Sequence, residues 1–187
     1  MNSNYPKDIT RILNSLASGD SQAVDDLVNA VYGELHQMAR AKLSNEEPGN
    51  TLQPTALVHE AWLRLKPERQ TWDNRKHFFV AAAQAMRRIL IDSARRKLSL
   101  RKGGGGDKLS IEDISLPAPD AQEFISVSEA LDALAEHDPR KAQVAQLRYI
   151  VGMTSEEVGD LLGISVSTAK REWDYARAWL YRFLSRD

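Results

Sequence analysis

The stretch MTSEEVGDLLGISVSTAKREWDYARAWLYRFL, residues 153–184, decides the fold. Residues 154–162 read as a short helix, Gly163-Ile164-Ser165 as a tight turn, and residues 166–184 as a longer helix in which Trp173, Ala176, Leu180 and Phe183 recur at three- and four-residue spacing. Two helices crossing at such a turn need a small residue at the crossing, a glycine that reaches positive φ, and apolar side chains that fix the angle. Gly159 supplies the first, Gly163 the second, and Val158, Leu162, Ile164 and Ala169 the third. This is the grammar of a helix-turn-helix. It leaves Ser167, Thr168, Lys170, Arg171, Asp174 and Tyr175 on or near the exposed surface of the second helix, with Arg177 one turn beyond Asp174. About 14 residues of that helix span roughly 21 Å, enough to cross a DNA major groove.

Upstream of this motif, residues 127–135 and 140–151 are amphipathic, and Asp138-Pro139 suits an N-cap followed by the first helical position. In the first half, apolar residues recur at helical spacing over 9–16, 23–43, 57–65 and 78–90, with no strand-like alternation. The boundaries have chemical reasons. Asp20 or Ser21 caps the second helix, Pro48-Gly49-Asn50 marks a turn, Thr51 or Pro54 opens the third helix, and Asp73 or Asn74 caps the fourth. Between the halves, Gly103 to Gly106, Pro117 and Pro119 interrupt any regular element. The expected fold is all-α, with two small helical domains, 1–97 and 126–187, joined by a flexible acidic linker over 98–125.

Composition narrows the function classes. The chain has 187 residues and 42% apolar content, ordinary for a globular protein with real cores. No run of about 18 apolar residues exists, and residues 1–6 lack the pattern of a signal peptide, so a cytoplasmic protein without membrane insertion is expected. Zero Cys excludes disulfides, thiolate metal sites and cysteine nucleophiles. His59-Glu60 resembles half of a zinc-protease motif, but Leu63 stands where the second His is needed. His36, His59, His77 and His137 form no metal-ligand spacing, and the glycine run lacks the Lys and Ser or Thr of a phosphate loop. No catalysis, metal or cofactor is expected.

The formal net charge of -1 conceals local asymmetry. Over 85–102 stand Arg87, Arg88, Arg95, Arg96, Lys97, Arg101 and Lys102 against the single acid Asp92, a positive stripe that calls for a polyanion. Asp107, Glu112, Asp113, Asp120 and Glu123 then make the next segment acidic. Trp72, Phe78 and Phe79 precede the stripe; such aromatics can stack on unpaired bases, although Phe78 and Phe79 are expected to pack the core. On the third helix Leu57, Val58, Ala61 and Leu65 form the inward face, while Trp62 and Leu63 beside Glu60 and Arg64 have the character of protein-interface anchors.

These segments carry a resemblance. The stretch 153–184 resembles region 4 of sigma-70 family proteins, "ALVHEAWLRL" resembles the core-binding helix of region 2, and "HFFVAAAQAMRRILIDSARRK" resembles the helix that melts and reads the minus-10 element. There is no room between them for region 3, which points to the group 4, extracytoplasmic-function type of sigma factor. The resemblance implies minus-35 recognition by Ser167, Thr168, Lys170, Arg171, Asp174, Tyr175 and Arg177, and a minus-10 surface at Arg87, Arg88, Ile91, Asp92, Arg95 and Arg96. It implies a surface at Leu57, Val58, Glu60, Trp62 and Leu63 for the clamp helices of the RNA polymerase core's largest subunit, with the flap as a further core contact. The expected partners are therefore RNA polymerase core and promoter DNA, with an anti-sigma factor or a Ser/Thr kinase as regulator.

One departure from the family pattern stands out, since acids are common just before the core-binding helix and this chain has "TLQPTALVHEAW" there. Thr55, with Thr51 as the alternative, is the expected phosphorylation site that would restore the missing charge. The competing function is a stand-alone helix-turn-helix regulator that binds duplex DNA unaided. Against it, the first half shows neither the alternating strands and helices of a receiver domain nor a dimerisation helix.

Overall fold

The structure, a computed structural model, describes residues 6–20, 22–43, 53–67, 70–102 and 118–185. Among these residues there are eight helices and no strand: α1 Pro6–Ala17, α2 Gln22–Leu43, α3 Pro54–Leu65, α4 Arg75–Lys102, α5 Ala118–His137, α6 Pro139–Tyr149, α7 Ser155–Leu162 and α8 Val166–Leu184. The all-α class is as the sequence patterns imply.

Local chemistry sets most boundaries. Asp20 Oδ1 accepts from Gln22 N at 3.0 Å at the start of α2, and Asn74 Oδ1 accepts from His77 N at 3.0 Å, which makes Asn74 the cap of α4. Asp138 caps α6 by accepting from Lys141 N, with Pro139 at the first helical position. Helix α3 differs: its N-cap is Gln53, which makes no side-chain bond, and Pro54 opens the helix. Thr55 is therefore not a cap, and Ser21, Thr51 and residues 48–50 lie outside the described residues.

Helix α4 runs twelve residues past the Leu90 end that the apolar pattern suggests. Nothing in residues 91–102 breaks a helix, and Ala94 and Leu98 pack against Ala121 and Ile125 on α5. Helices thus enter the 98–125 segment from both ends, while the Gly103–Gly106 run lies outside the described residues.

In the first half, Leu13, Leu27, Leu35, Leu57, Phe78, Phe79, Met86 and Leu90 are fully buried where α1 to α4 meet. Burying each of these large side chains stabilises the bundle by about 1.5–3 kcal/mol relative to exposure. Trp72 is buried too, donating Nε1–H to the Pro67 carbonyl at 3.3 Å and meeting Phe78 edge-on at 5.2 Å. In the second half Leu131, Leu134, Val144, Leu147, Val158, Ala169 and Ala176 fill the space between α5, α6, α7 and α8. Because α5 also packs along α4, most of the buried hydrophobic residues form one cluster running from Ile9 to Leu180, beside the smaller cluster of Ala94, Ala121 and Ile125.

Candidate nucleic-acid interface

The α7–α8 unit is built by its turn. Thr154 accepts from Glu157 N at 3.2 Å while Glu157 Oε2 accepts from Thr154 N at 2.7 Å, so a reciprocal capping box starts α7. Gly163 ends it in the left-handed conformation (φ 68°, ψ 38°). A Cβ on Gly159 would stand 2.9 Å from the Ile164 carbonyl oxygen, a distance real Cβ atoms do not tolerate, so this position admits the close crossing only as glycine. Ser165 then caps α8: its Oγ accepts from Thr168 N at 3.1 Å and lies 2.8 Å from Thr168 Oγ1 and 2.9 Å from Ser167 Oγ.

On α8 the inward stripe is Ala169, Glu172, Ala176 and Leu180. Ser167, Lys170, Arg171, Asp174, Tyr175 and Arg177 are exposed, and Thr168 is half-buried. Tyr175 carries the Lys141 ammonium 4.8 Å from its ring centroid, and the guanidinium groups of Arg148 (5.5 Å) and Arg177 (5.9 Å) both lie over the Trp173 ring. Helix α8 therefore presents a polar, hydrogen-bonding face bordered on both sides by cations resting on aromatic rings.

On α4, Arg88, Asp92, Arg95 and Arg96 are exposed at three-, four- and seven-residue spacings that put them on one side of the helix, and Ile91 is half-buried. Asp92 is engaged from α3 by Arg64, whose Nη2 donates at 3.0 Å while its Nε donates to Glu60 at 3.2 Å. Arg87 does not join that face. It is buried, and its guanidinium donates to Asp132 and to the Ser128 carbonyl, both on α5. Trp72, Phe78 and Phe79 are buried as well, so in this structure none of the three aromatics before the stripe offers a ring to a base.

On α3, Leu57 and Val58 are buried and hold the helix to the bundle. The outer surface consists of Leu63, 66% exposed, the half-buried Trp62, which meets Phe78 edge-on at 6.4 Å, and Glu60. Two surfaces rich in exposed Arg and Lys, and one with an exposed Leu beside a half-exposed Trp, thus occupy different helices.

A family model described as ECF sigma factor matches residues 6–186 of the chain. The chain belongs to the ECF sigma factor family. The match extends over both halves, and it carries a role in transcription initiation. No curated protein matches the chain. Among the described residues of this sigma factor no helix is long and apolar enough to cross a membrane, and no group of His, Asp and Glu could hold a metal ion.

The structure of the sigma factor also brings forward residues that the apolar and basic patterns do not single out. Glu172 occupies the buried stripe of α8, and Arg140 from α6 neutralises it. A charge at a core-stripe position requires a partner, so the spacing Ala169–Glu172–Ala176 was the available signal, but nothing in the sequence says which of many arginines answers it. The same holds for Asp132, the partner of Arg87.

Proposed function

We propose that this sigma factor confers promoter specificity through two DNA-facing surfaces and one polymerase-facing surface, and performs no catalysis. In this assignment residues 1–97 are region 2, 126–187 are region 4, and the segment 98–125 connects them. The observation that carries it is the outward face of α8. Lys170 and Arg171 can pair with guanine, Asp174 can accept from cytosine, and Ser167 and Thr168 suit either, on a helix seated by its turn for entry into a major groove. Tyr175 and Arg177 complete the minus-35 surface.

The minus-10 surface is α4, where the exposed Arg88, Arg95 and Arg96 attract phosphate and Ile91 and Asp92 lie beside them. Arg87 joins this surface once α5 releases it. The α3 surface of Glu60, Trp62 and Leu63 docks on the clamp helices of RNA polymerase core, and region 4 meets the flap. An exposed Leu beside a half-exposed Trp, with charges around them, has the composition of an interface centre with its rim. Control comes from an anti-sigma factor or from a Ser/Thr kinase acting at Thr55, which is exposed in the first turn of α3; Thr51, the alternative acceptor, lies outside the described residues.

Run-off transcription with core polymerase and genomic promoter fragments tests this function. Specific transcripts that require both core and this chain are expected. Tight sequence-specific binding of duplex DNA by the free chain, without stimulation of core, would establish a stand-alone helix-turn-helix regulator instead.

A further inference from the structure

Arg140, in the first turn of α6, reaches across to the middle of α8. Its Nε–H donates to Glu172 Oε2 at 3.2 Å, and Nε lies 3.0 Å from Oε1, so the charge of the guanidinium faces both carboxylate oxygens. The two partners differ sharply in exposure: the Glu172 side chain is 12% accessible and that of Arg140 is 55%. The hydrogen bonds of the pair use Nε, and no described bond uses the Nη donors of Arg140.

The location of the pair is set by helix geometry. Glu172 follows Thr168 by four residues and precedes Tyr175 by three, so it sits directly behind the edge of the outward face that those two residues mark. Lys141, next to Arg140, rests on the Tyr175 ring. Arg140 therefore borders the surface proposed to meet minus-35 DNA. A carboxylate so close to a groove lined with phosphates would repel them. Neutralised by Arg140, it instead fixes a guanidinium whose Nη donors have no partner among the described residues, and an arginine held in this way loses less entropy on meeting a phosphate.

We propose that Arg140 is a phosphate-contacting arm of the minus-35 interface and that Glu172 is the positioning residue that holds it there. The inference rests on α8 being the minus-35 helix. It adds to the interface a residue from outside the helix-turn-helix.

The test uses holoenzyme reconstituted with wild-type chain or with Arg140→Ala, Arg140→Gln, Arg140→Lys or Glu172→Gln. Equilibrium binding is measured over a series of salt concentrations, on a promoter fragment, on single-base minus-35 variants and on a scrambled minus-35 control. Arg140→Ala is expected to weaken binding by a similar factor on every functional minus-35 variant. It should also make the slope of log affinity against log salt shallower by about 0.9, equivalent to roughly a three- to fourfold difference between 50 and 200 mM salt. Arg140→Gln, which can still bond Glu172 without carrying charge, should show the same change of slope and serves if the alanine variant fails to fold. Arg140→Lys should keep the slope while losing affinity.

Glu172→Gln is expected to lower affinity although it removes a negative charge; a rise in affinity overturns the positioning role. A wild-type slope in both neutral Arg140 variants overturns the phosphate contact while leaving the minus-35 assignment of α8 standing. Failure of the wild-type holoenzyme to distinguish the scrambled control overturns that assignment and this proposal with it.

Discussion

The guanidinium of Arg87 on α4 is clasped by the carboxylate of Asp132 on α5, Nη1 to Oδ1 at 2.9 Å and Nη2 to Oδ2 at 2.8 Å. Nη1 donates the hydrogen bond to Asp132, while Nη2, which donates to the Ser128 carbonyl, adds a close ionic contact to the second carboxylate oxygen. The Arg87 side chain is 10% accessible and that of Asp132 is 69%, so the arginine is enclosed by α5 while its partner stays in water. Arg87 Nε is buried without a hydrogen-bond partner, and the pair is therefore incompletely compensated. The contact ties α4, the helix proposed to meet the minus-10 element, to α5, the first helix of the other half.

From this follows the expected behaviour of Asp132→Ala. It leaves a buried guanidinium bonded only to the Ser128 carbonyl, which should lower stability by about 1–3 kcal/mol in thermal or urea unfolding. If Arg87 must leave α5 to act on DNA, permanganate reactivity of the melted promoter should rise in holoenzyme carrying the variant. A fall in reactivity would mean that the pair is still formed in the open complex and serves as scaffold.

Lys170→Ala and Arg171→Ala remove exposed side chains that make no contribution to the buried stripe of α8. Thermal stability should stay within about 0.5 kcal/mol of wild type. Minus-35 discrimination should fall by about 1–3 kcal/mol where a base contact is lost, or the salt dependence should become shallower where a phosphate contact is lost. Unchanged promoter preference in both variants would mean that a different face of α8 enters the groove.

Thr55 is exposed one position after Pro54, on a helix whose first turn has no acid and whose N-cap makes no side-chain bond. A phosphate there would meet the positive end of the helix dipole, with no acidic side chain in the first turn to oppose it. Thr55→Ala should abolish activity in cells without unfolding the chain, and Thr55→Glu should recover part of it. Core affinity of the glutamate variant should exceed that of unphosphorylated chain by at least about tenfold, the equivalent of ~1.4 kcal/mol. Equal core binding by kinase-free wild type and Thr55→Glu would leave Thr55 an ordinary surface residue.

Asp138 links stability to pH. The side-chain hydrogen bond from Lys141, followed by the bond from the Lys141 backbone N–H, holds its carboxyl below the ordinary value of 3.8. A depressed acid stabilises the fold above its unfolded pKa and loses that contribution as pH falls through its folded pKa. Asp138→Ala should therefore cost about 1 kcal/mol at neutral pH. The difference from wild type should shrink below pH 3.8 in urea denaturation, and Asp138→Asn should retain most of the cap at all pH values.

The helices were legible wherever an apolar period met a capping residue or a glycine. Thr154, Gly163, Ser165, Asp138 and Asn74 each terminate or open an element where the sequence suggests. The apolar period faded in α4 after Leu90 because its later turns carry mainly charged residues, and among the described side chains Ala94 and Leu98 are those that pack against Ala121 and Ile125 of α5, which leaves little pattern. Exposure on α8 was legible for the same periodic reason. The fate of Arg87 was not, since a basic residue facing a protein carboxylate and one facing phosphate look alike until the fold brings Asp132 within reach. Leu57 and Val58 show the converse: their apolar character implies burial, and they fasten α3 to its bundle, leaving the opposite side of the helix for the proposed polymerase contact.

The close passage of the Ile164 carbonyl over Gly159 bears on how this regulator can change over time. Helix α8 is seated chiefly by the turn and by the stripe Ala169, Glu172, Ala176 and Leu180, while Lys170, Arg171 and Asp174 look outward and take no part in that packing. If α8 reads the promoter as proposed, new preferences can be acquired by rewriting Lys170, Arg171 and Asp174 while the frame is inherited unchanged. Gly159 is the position at which such a lineage has no freedom, and a designer of orthogonal regulators would leave it untouched and randomise around it.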